Sequence, residues 1–415
     1  MKKKSISHTP LNFFPMKDGQ LYAAEKPVEQ IIAIAGQTPL YIYDRQLITQ
    51  RIKTLRSILP ESIKLHYAIK ANPMPAVVQH LAGLVDGLDI ASQGELFTAL
   101  NSGMQTSEIS FAGPGKTRSE LKAAIAAEIV INIESVTELE RIAQLGNELG
   151  LVPQIAIRVN PDFELKSSGM KMSGGPKQFG IDAEQVPELL NQLHHIPVKF
   201  SGLHIFSGSQ NLQSDAIIDA HNKTFELAAK LLSESPLDYR FINIGGGFGI
   251  PYFPGDKPLQ LQPIADNLQR LLREYSLFRE KQLIIELGRY LVGEAGIYVS
   301  RVVDKKISRG LTYLITDGGL HHHLANSGNF GQVIRKNYPV MISQANNAGS
   351  KEVSQKEQVS IVGPLCTPLD TLADKMELPK AEIGDLVIIL QSGAYGKSAS
   401  PENFLGHPAV KELLI

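Results

Sequence analysis

Lys70, in the run Tyr67-Ala-Ile-Lys-Ala-Asn72, follows apolar and β-branched residues. A lysine at the inner end of a strand is desolvated, which lowers its pKa and frees a neutral amine for a Schiff base. Taken singly, such a lysine is more often a solvated group at a strand exit. Asn243-Ile-Gly-Gly-Gly-Phe-Gly249 follows another apolar run. Consecutive glycines let backbone N–H groups approach an anion, although they also suit a tight strand-to-helix turn. A dinucleotide fingerprint fails, because Ile250 stands where its last glycine would be. In Glu286-Leu-Gly-Arg289 the carboxylate could hold a ring nitrogen protonated and the guanidinium could clamp a phosphate. In isolation the two could equally form a structural ion pair. Together, an amine, an anion cradle and a carboxylate match the three handles of pyridoxal 5'-phosphate: aldehyde, phosphate and pyridine nitrogen.

These residues sit in a recurring rhythm. Eight short runs read as strands: Lys64–Ala71, Gly87–Ser92, Ile109–Pro114, Val130–Ser135, Gln154–Pro161, Phe200–Ser207, Phe241–Gly247 and Leu283–Arg289. Between them lie helical spacings such as Glu120–Ala127, Val136–Leu149, Ala183–Leu193, Ala216–Ser233 and Ile264–Glu274. Eight strands alternating with helices predict an α/β fold, a (β/α)8 TIM-like barrel, over residues 45–290. Residues 1–44 and 291–415 read as one β-rich domain built from both chain ends, with strands at Pro39–Tyr43, Gly296–Val303, Leu311–Thr316, Val359–Val362 and Asp385–Leu390. The polar stretch Gln344–Gln358 is expected to be an exposed loop. Catalytic groups of such a barrel lie at the C-terminal strand ends, here Lys70, Asp89, Ser92, Gly113, Glu134, Arg158, His204, Gly245, Gly246, Gly247, Glu286 and Arg289.

Composition narrows the class. The 415 residues carry 41 basic and 42 acidic side chains, so the surface charge of a dedicated nucleic-acid binder is missing. A single cysteine cannot form an internal disulfide, and no apolar run approaches the roughly 18 residues of a membrane helix. Lys2–Lys4 precede a polar stretch rather than a signal-peptide core. The expectation is a cytoplasmic enzyme acting on a small molecule, with neither nucleic acid nor membrane as partner. His321–His323 are consecutive and cannot all face one ion, so no metal is expected.

Seven motifs occur in order: Tyr-Ala-Ile-Lys-Ala-Asn (67–72), Leu-Asp-Ile-Ala-Ser-Gln-Gly-Glu-Leu (88–96), Gly-Leu-His-Ile-Phe-Ser-Gly-Ser-Gln (202–210), Gly-Gly-Gly-Phe-Gly (245–249), Glu-Leu-Gly-Arg (286–289), Gly-Pro-Leu-Cys (363–366) and Ser-Gly-Ala-Tyr-Gly (392–396). The chain thereby resembles the diaminopimelate/ornithine decarboxylase family, the fold-type III pyridoxal-phosphate decarboxylases with an alanine racemase-like fold, over about Pro39 to Pro408. The resemblance implies a lyase whose cofactor is pyridoxal 5'-phosphate. It implies that Lys70 forms the Schiff base and Glu286 pairs with the ring nitrogen. It also implies that Arg289, Gly245–Gly247, Ser209 and Tyr395 hold the phosphate, and that Asp89 and Arg158 support the cofactor. Cys366 would enter the active site of the partner subunit in a head-to-tail homodimer; the carbon left by decarboxylation needs a proton, for which Cys366 is one candidate acid and Lys70 the other. Glu286 favours decarboxylation, since racemases of this barrel family place Arg at the ring nitrogen and weaken the electron sink.

Two departures bear on the substrate and the cofactor. Thr367 follows Cys366 where diaminopimelate decarboxylases have Glu and ornithine decarboxylases have Asp, which argues against a distal substrate ammonium. Phe206 occupies the position where the family stacks His, and His204 lies two residues earlier on the same side of the strand, leaving either as the ring-stacking group. Ser168–Gly180, Asp317–His323, Cys366-Thr-Pro and Phe404–Pro408 resemble enzymes of specialised biosynthetic clusters. These include the butirosin-type decarboxylase of glutamate tethered to an acyl-carrier protein. The implied substrate is an amino acid or a conjugated, carrier-tethered one. Alternatives are diaminopimelate decarboxylase proper, a cofactor-free regulatory homologue, or a barrel glycoside hydrolase using Glu286 and Glu134. The Lys171–Lys177 loop reads equally as a lid, as a contact for an anionic substrate or carrier, or as a solvated turn.

Overall fold

In the computed structural model all residues are described except 1–6, 165–169, 172, 234, 236, 331, 333–334 and 345–354. The alternation of strand and helix closes into a barrel of eight parallel strands: β1 (Ile63–Ala68), β2 (Gly87–Ile90), β3 (Ile109–Phe111), β4 (Val130–Ile133), β5 (Gln154–Asn160), β6 (Lys199–Ile205), β7 (Phe241–Gly246) and β8 (Gln282–Leu287). Closure is made by β8 pairing in parallel with β1, Leu283 beside Ile63 and Glu286 beside His66. Each strand ends one to three residues before the run read from sequence, because the terminal polar residues turn into loops or helix caps. Ser92 accepts a hydrogen bond from the Glu95 N–H, Ser135 from that of Glu138, and Thr117 forms a capping box with Glu120. Strand ends and helix starts are therefore nearly the same residues, which is why site groups gather at this face. One compact unit comprises Gln50–Ile250 and Pro258–Tyr290.

The second unit comprises Met1–Thr49, Pro251–Lys257 and Leu291–Ile415. Its spine is the strand Gly296–Ser308, paired with Leu40–Tyr43 and Leu386–Ile389 through its first half and with Leu311–Thr316 through its second. Leu40, Ile42, Ile297, Val299, Leu386 and Ile388 bury one face against Val28, Ile31 and Ile32 of the helix Val28–Ala35. That helix, and the strands Val340–Ser343, Thr371–Pro379 and Lys411–Leu414, are absent from the sequence reading. Pro251–Lys257 joins this unit through Tyr252, whose ring lies 4.6 Å from that of Tyr338. Among the described residues no helix is long and apolar enough to cross a membrane. Most of the polar stretch 344–358 lies outside the described residues.

Candidate active site

Lys70 lies in the 3-10 turn Ile69–Ala71 that follows β1. Ile69 and Ala71 are buried, and the Tyr67 hydroxyl donates to the Asn72 carbonyl at 2.9 Å, so the turn is anchored on both sides of the lysine. The Lys70 side chain itself is 45% exposed. The expected desolvation is therefore not found, and its neighbours set its character instead. Its Nζ lies 4.0 Å from Glu286 Oε1 and 5.6 Å from the centre of the Phe206 ring.

Glu286, on β8, is buried, and His204 Nε2 of β6 lies 3.2 Å from its Oε2, a charge contact rather than an aligned hydrogen bond. Burial pushes the Glu286 carboxyl up, but His204, Lys70 and Arg158 outweigh it and hold the group down to about 2. His204 Nδ1 has no hydrogen-bond partner among the described residues. Phe206, half-buried just past β6, is tilted 57° to the His204 ring at 6.5 Å. The two candidates for the ring-stacking role thus stand side by side, Phe206 near the amine and His204 near the carboxylate.

Beneath them the barrel interior is polar. Asp89 Oδ1 on β2 accepts from Ser110 Oγ and lies 3.3 Å from His66 Nδ1, while Asn132 Nδ2 donates to Ser110 Oγ at 3.2 Å. Asp89 Oδ2 and His66 Nε2 are buried without hydrogen-bond partners among the described residues. Burial pulls the His66 pKa down, but Asp89, Glu108 and Glu286 together leave it raised. Arg158 on β5 donates to Glu134 Oε1 at 2.7 Å and lies 4.8 Å from the centre of the Phe179 ring. Glu134 also accepts from the N–H groups of Gly113 at 2.6 Å and Gly180 at 3.1 Å. Both Glu134 oxygens are engaged, so Glu134 is not free to pair with Glu286 as a hydrolase would need. Lys116, buried, donates to Gly113 O, Asn132 O and Glu138 Oε1 at 2.7–2.9 Å. His66, Ser110, Asn132, Lys116 and Glu138 escaped the sequence reading. Their signal is positional, as polar residues at inward or strand-end places of short apolar strands.

Two turns carry the residues expected to cradle an anion. Gly245 (φ +69°) and Gly247 (φ +82°) adopt backbone that favours glycine. A Cβ on Gly245 would meet Phe206 Cδ2 at 2.9 Å, and one on Gly246 would lie 2.1 Å from the Glu286 carbonyl oxygen. The Gly246 requirement therefore comes from the approach of β7 to β8. The turn at Ser209 is zipped to this one by Asn211 N–H to Gly247 O and Gly249 N–H to Asn211 O, both 2.9 Å. The Gln210 amide clasps the Ile250 backbone in both directions. Arg289 opens the short helix Arg289–Val292 directly after β8. Beside Ser209, the backbone of Met170–Lys171 pairs with Gly208–Ser209, whereas 165–169, Met172 and the Lys171 side chain lie outside the described residues.

Cys366, Tyr395 and the histidine run belong to the other unit. Cys366 is a free, exposed thiol. Its loop is held by Asp370, whose carboxylate accepts the Leu320 N–H at 2.6 Å and the Leu365 N–H at 2.8 Å. A Cβ on Gly319 or Gly363 would strike that carboxylate at 2.3 and 2.4 Å, which explains both glycines and identifies Asp370 as a positioning group the sequence reading missed. Tyr395 has φ +53°, and its ring lies 6.3 Å from that of Phe330. His321, His322 and His323 are buried, and His321 also abuts His407 at 5.1 Å between ring centres.

Pyridoxal 5'-phosphate fits the barrel residues. Unpartnered buried ring and carboxylate atoms line the floor, an ionised carboxylate lies 4.0 Å from a lysine amine, and a glycine cradle stands beside an arginine. These features define a pyridoxal-phosphate barrel enzyme of the decarboxylase type. Residues 45–293 match the family profile of the pyridoxal-dependent decarboxylase pyridoxal-binding domain. The chain is 39% identical over 387 residues to the L-glutamyl-[BtrI acyl-carrier protein] decarboxylase of Niallia circulans, covering 91% of this chain and 89% of that protein. It is 32% identical to the diaminopimelate decarboxylase of Aquifex aeolicus, covering 97% and 92%. The crystal structure of diaminopimelate decarboxylase from M. jannaschii in co-complex with L-lysine superposes with a TM-score of 0.86 at 27% identity, covering 98% and 93%. The chain belongs to the pyridoxal-dependent decarboxylase family; it is an amino-acid decarboxylase that uses pyridoxal 5'-phosphate.

Proposed function

We propose that this cytoplasmic homodimer removes the α-carboxylate of an amino acid presented as a conjugate, most simply one tethered to an acyl-carrier protein. The observation that carries the substrate reading is Thr367. A neutral hydroxyl, accepting the Leu369 N–H at 3.3 Å, stands next to Cys366 where the resemblance implies an acid for a distal ammonium. A side chain whose far end is an amide or thioester needs no such acid. The likeness to a protein named for a glutamyl-carrier substrate supports the same reading.

Bound pyridoxal phosphate supplies an electron sink for the pair released when carbon dioxide departs. In this proposal Lys70 binds its aldehyde carbon. Glu286, ionised at every physiological pH because its carboxyl is held down to about 2, keeps a proton on the pyridine nitrogen. Phe206, its ring centre 5.6 Å from the Lys70 amine, would be the group to pack against the cofactor, and His204 braces Glu286. Asp89 and Arg158 hold this polar floor in place. Gly245–Gly247, Ser209, Arg289 and Tyr395 would hold the phosphate, and Cys366 from the partner subunit would supply the proton that the α-carbon needs.

Release of labelled carbon dioxide from meso-diaminopimelate, L-lysine, L-ornithine, L-glutamate and a glutamyl-carrier conjugate tests the reading. The conjugate is expected to react at least 100-fold faster than any free amino acid, on the order of the specificity that a tether-binding surface provides. Preferred turnover of diaminopimelate would overturn it in favour of the lysine-forming enzyme.

A further inference from the structure

His221 lies on the helix Ser214–Ser233 that follows the Ser209 turn. Its side chain is 3% exposed, and neither ring nitrogen has a hydrogen-bond partner among the described residues. Burial alone drives its pKa down to about 4, so the ring is neutral, with one N–H donor and one acceptor both unmet. An enclosed polar atom left unpaired is costly, so such a residue in a packed helix needs a partner. One is available in space. His221 faces a cavity of about 10 Å³ walled by Ser207, Gly208, Thr224, Ile244 and Gly246. That volume holds roughly one water molecule. Ser207, Gly208 and Gly246 belong to the two turns that carry Ser209 and Gly245–Gly247, and Thr224 to the helix of His221 itself.

We propose that His221 is a positioning residue for the cofactor phosphate, acting through one ordered water that ties its ring to the backbone of the Ser207–Gly208 and Gly246 turns. The cradle works only if its backbone N–H groups converge on one point, and each glycine in it adds freedom that must be taken away. Asn211 and Gln210 remove that freedom at the outer end of the turns. The His221 water removes it at the inner end, where the two strands part. A neutral ring serves this purpose better than a cation, since it can donate to one partner and accept from another. The inference rests on assigning the phosphate to Ser209 and Gly245–Gly247, and the experiment separates the two.

The full chain, stripped of cofactor, is titrated with pyridoxal 5'-phosphate and with pyridoxal, which lacks the phosphate, and yellow absorbance is read. His221→Leu is expected to weaken the phosphate ester about tenfold while leaving pyridoxal unchanged. His221→Gln, which keeps a donor and an acceptor, is expected to restore most of the loss. A bland packing role predicts the opposite pattern, because replacing an unpaired buried polar group by leucine raises thermal stability and leaves the preference for phosphate intact. Ser209→Ala is the control on the assignment itself. Loss of phosphate preference in Ser209→Ala but not in His221→Leu overturns the role of His221 alone. No change in either variant overturns the phosphate assignment with it. If His221→Leu fails to fold, the Gln variant and a crystal structure showing whether a water occupies this cavity decide the matter.

Discussion

The barrel and the terminal β-rich unit both bury polar side chains, but by opposite means. In the barrel, buried charged side chains meet opposite charges: Arg158 with Glu134, Lys116 with Glu138, and Glu286 with the half-exposed Lys70. In the terminal unit, buried histidines are kept neutral. His323 Nδ1 accepts the Asn326 N–H at 3.3 Å, which assigns the proton to Nε2 and makes it the donor to Ser392 Oγ at 2.9 Å. His322 Nε2 lies 2.9 Å from the Pro408 carbonyl. Ion pairs in a low-dielectric interior are held at a cost in desolvation, and the barrel maintains them at one face only, where an ionic cofactor is to be bound. Neutral histidines place hydrogen bonds without placing charge. The difference marks one unit as the electrostatic seat of the chemistry and the other as its shaped support.

Single substitutions sharpen this division. Lys70→Ala is expected to abolish the yellow absorbance and to cut carbon dioxide release by at least about 10³-fold, since the amine proposed to anchor the cofactor is lost. Cys366→Ala, in the other unit, should retain the yellow colour yet turn over about 10²-fold more slowly, the usual scale of a lost general acid. A colourless Cys366→Ala protein would break the division. In stability, Arg158→Met leaves Glu134 buried without its cation and is expected to cost about 3–5 kcal/mol in urea unfolding. A loss under 1 kcal/mol would show that the N–H groups of Gly113 and Gly180 suffice to hold that carboxylate.

The two units also differ in how far they can be read from sequence. All eight barrel strands were legible, because short β-branched runs ending in Ser, Gly or charged residues recur at regular spacing. Their ends were overextended, since a residue such as Ser92 or Ser135 satisfies a strand pattern and a helix cap equally well. In the terminal unit Val28–Ala35 was missed, being eight residues long and begun by Pro27 without a side-chain cap. Thr371–Pro379 was missed because its exposed Asp374, Lys375 and Glu377 read as a loop. At the site, Lys70, Glu286 and the glycine turn were visible as residue types at strand ends. Asp370 was not, since its contact with Leu320 spans fifty residues of chain that no local pattern connects.

The smallest expected effect is in acid titration of His323, one of the neutral histidines of the terminal unit. His323 is held from its ordinary 6.5 down to about 3 by burial, so between those values the unfolded chain binds a proton that the folded chain refuses. Its contribution is complete above pH 6.5 and drains away as pH falls toward 3. Glu286 behaves the same way in a lower window, from its ordinary 4.5 down to about 2. Between pH 6.5 and 4.5, therefore, acid draws on His323 before Glu286 begins to lose its share, and in the barrel it draws on His221, held down to about 4, over the same range. The rings around His323 are those of Tyr41, Tyr298 and Tyr338, and the chain has no tryptophan, so tyrosine fluorescence reports on this region. In urea titrations across that window, His323→Leu should reduce the slope of stability against pH by up to about 1.4 kcal/mol per pH unit, the equivalent of one proton. An unchanged slope would mean that the Asn326 and Ser392 contacts rearrange to admit the charged ring, and the contrast between a neutral support and an ionised seat would then fail at its clearest point.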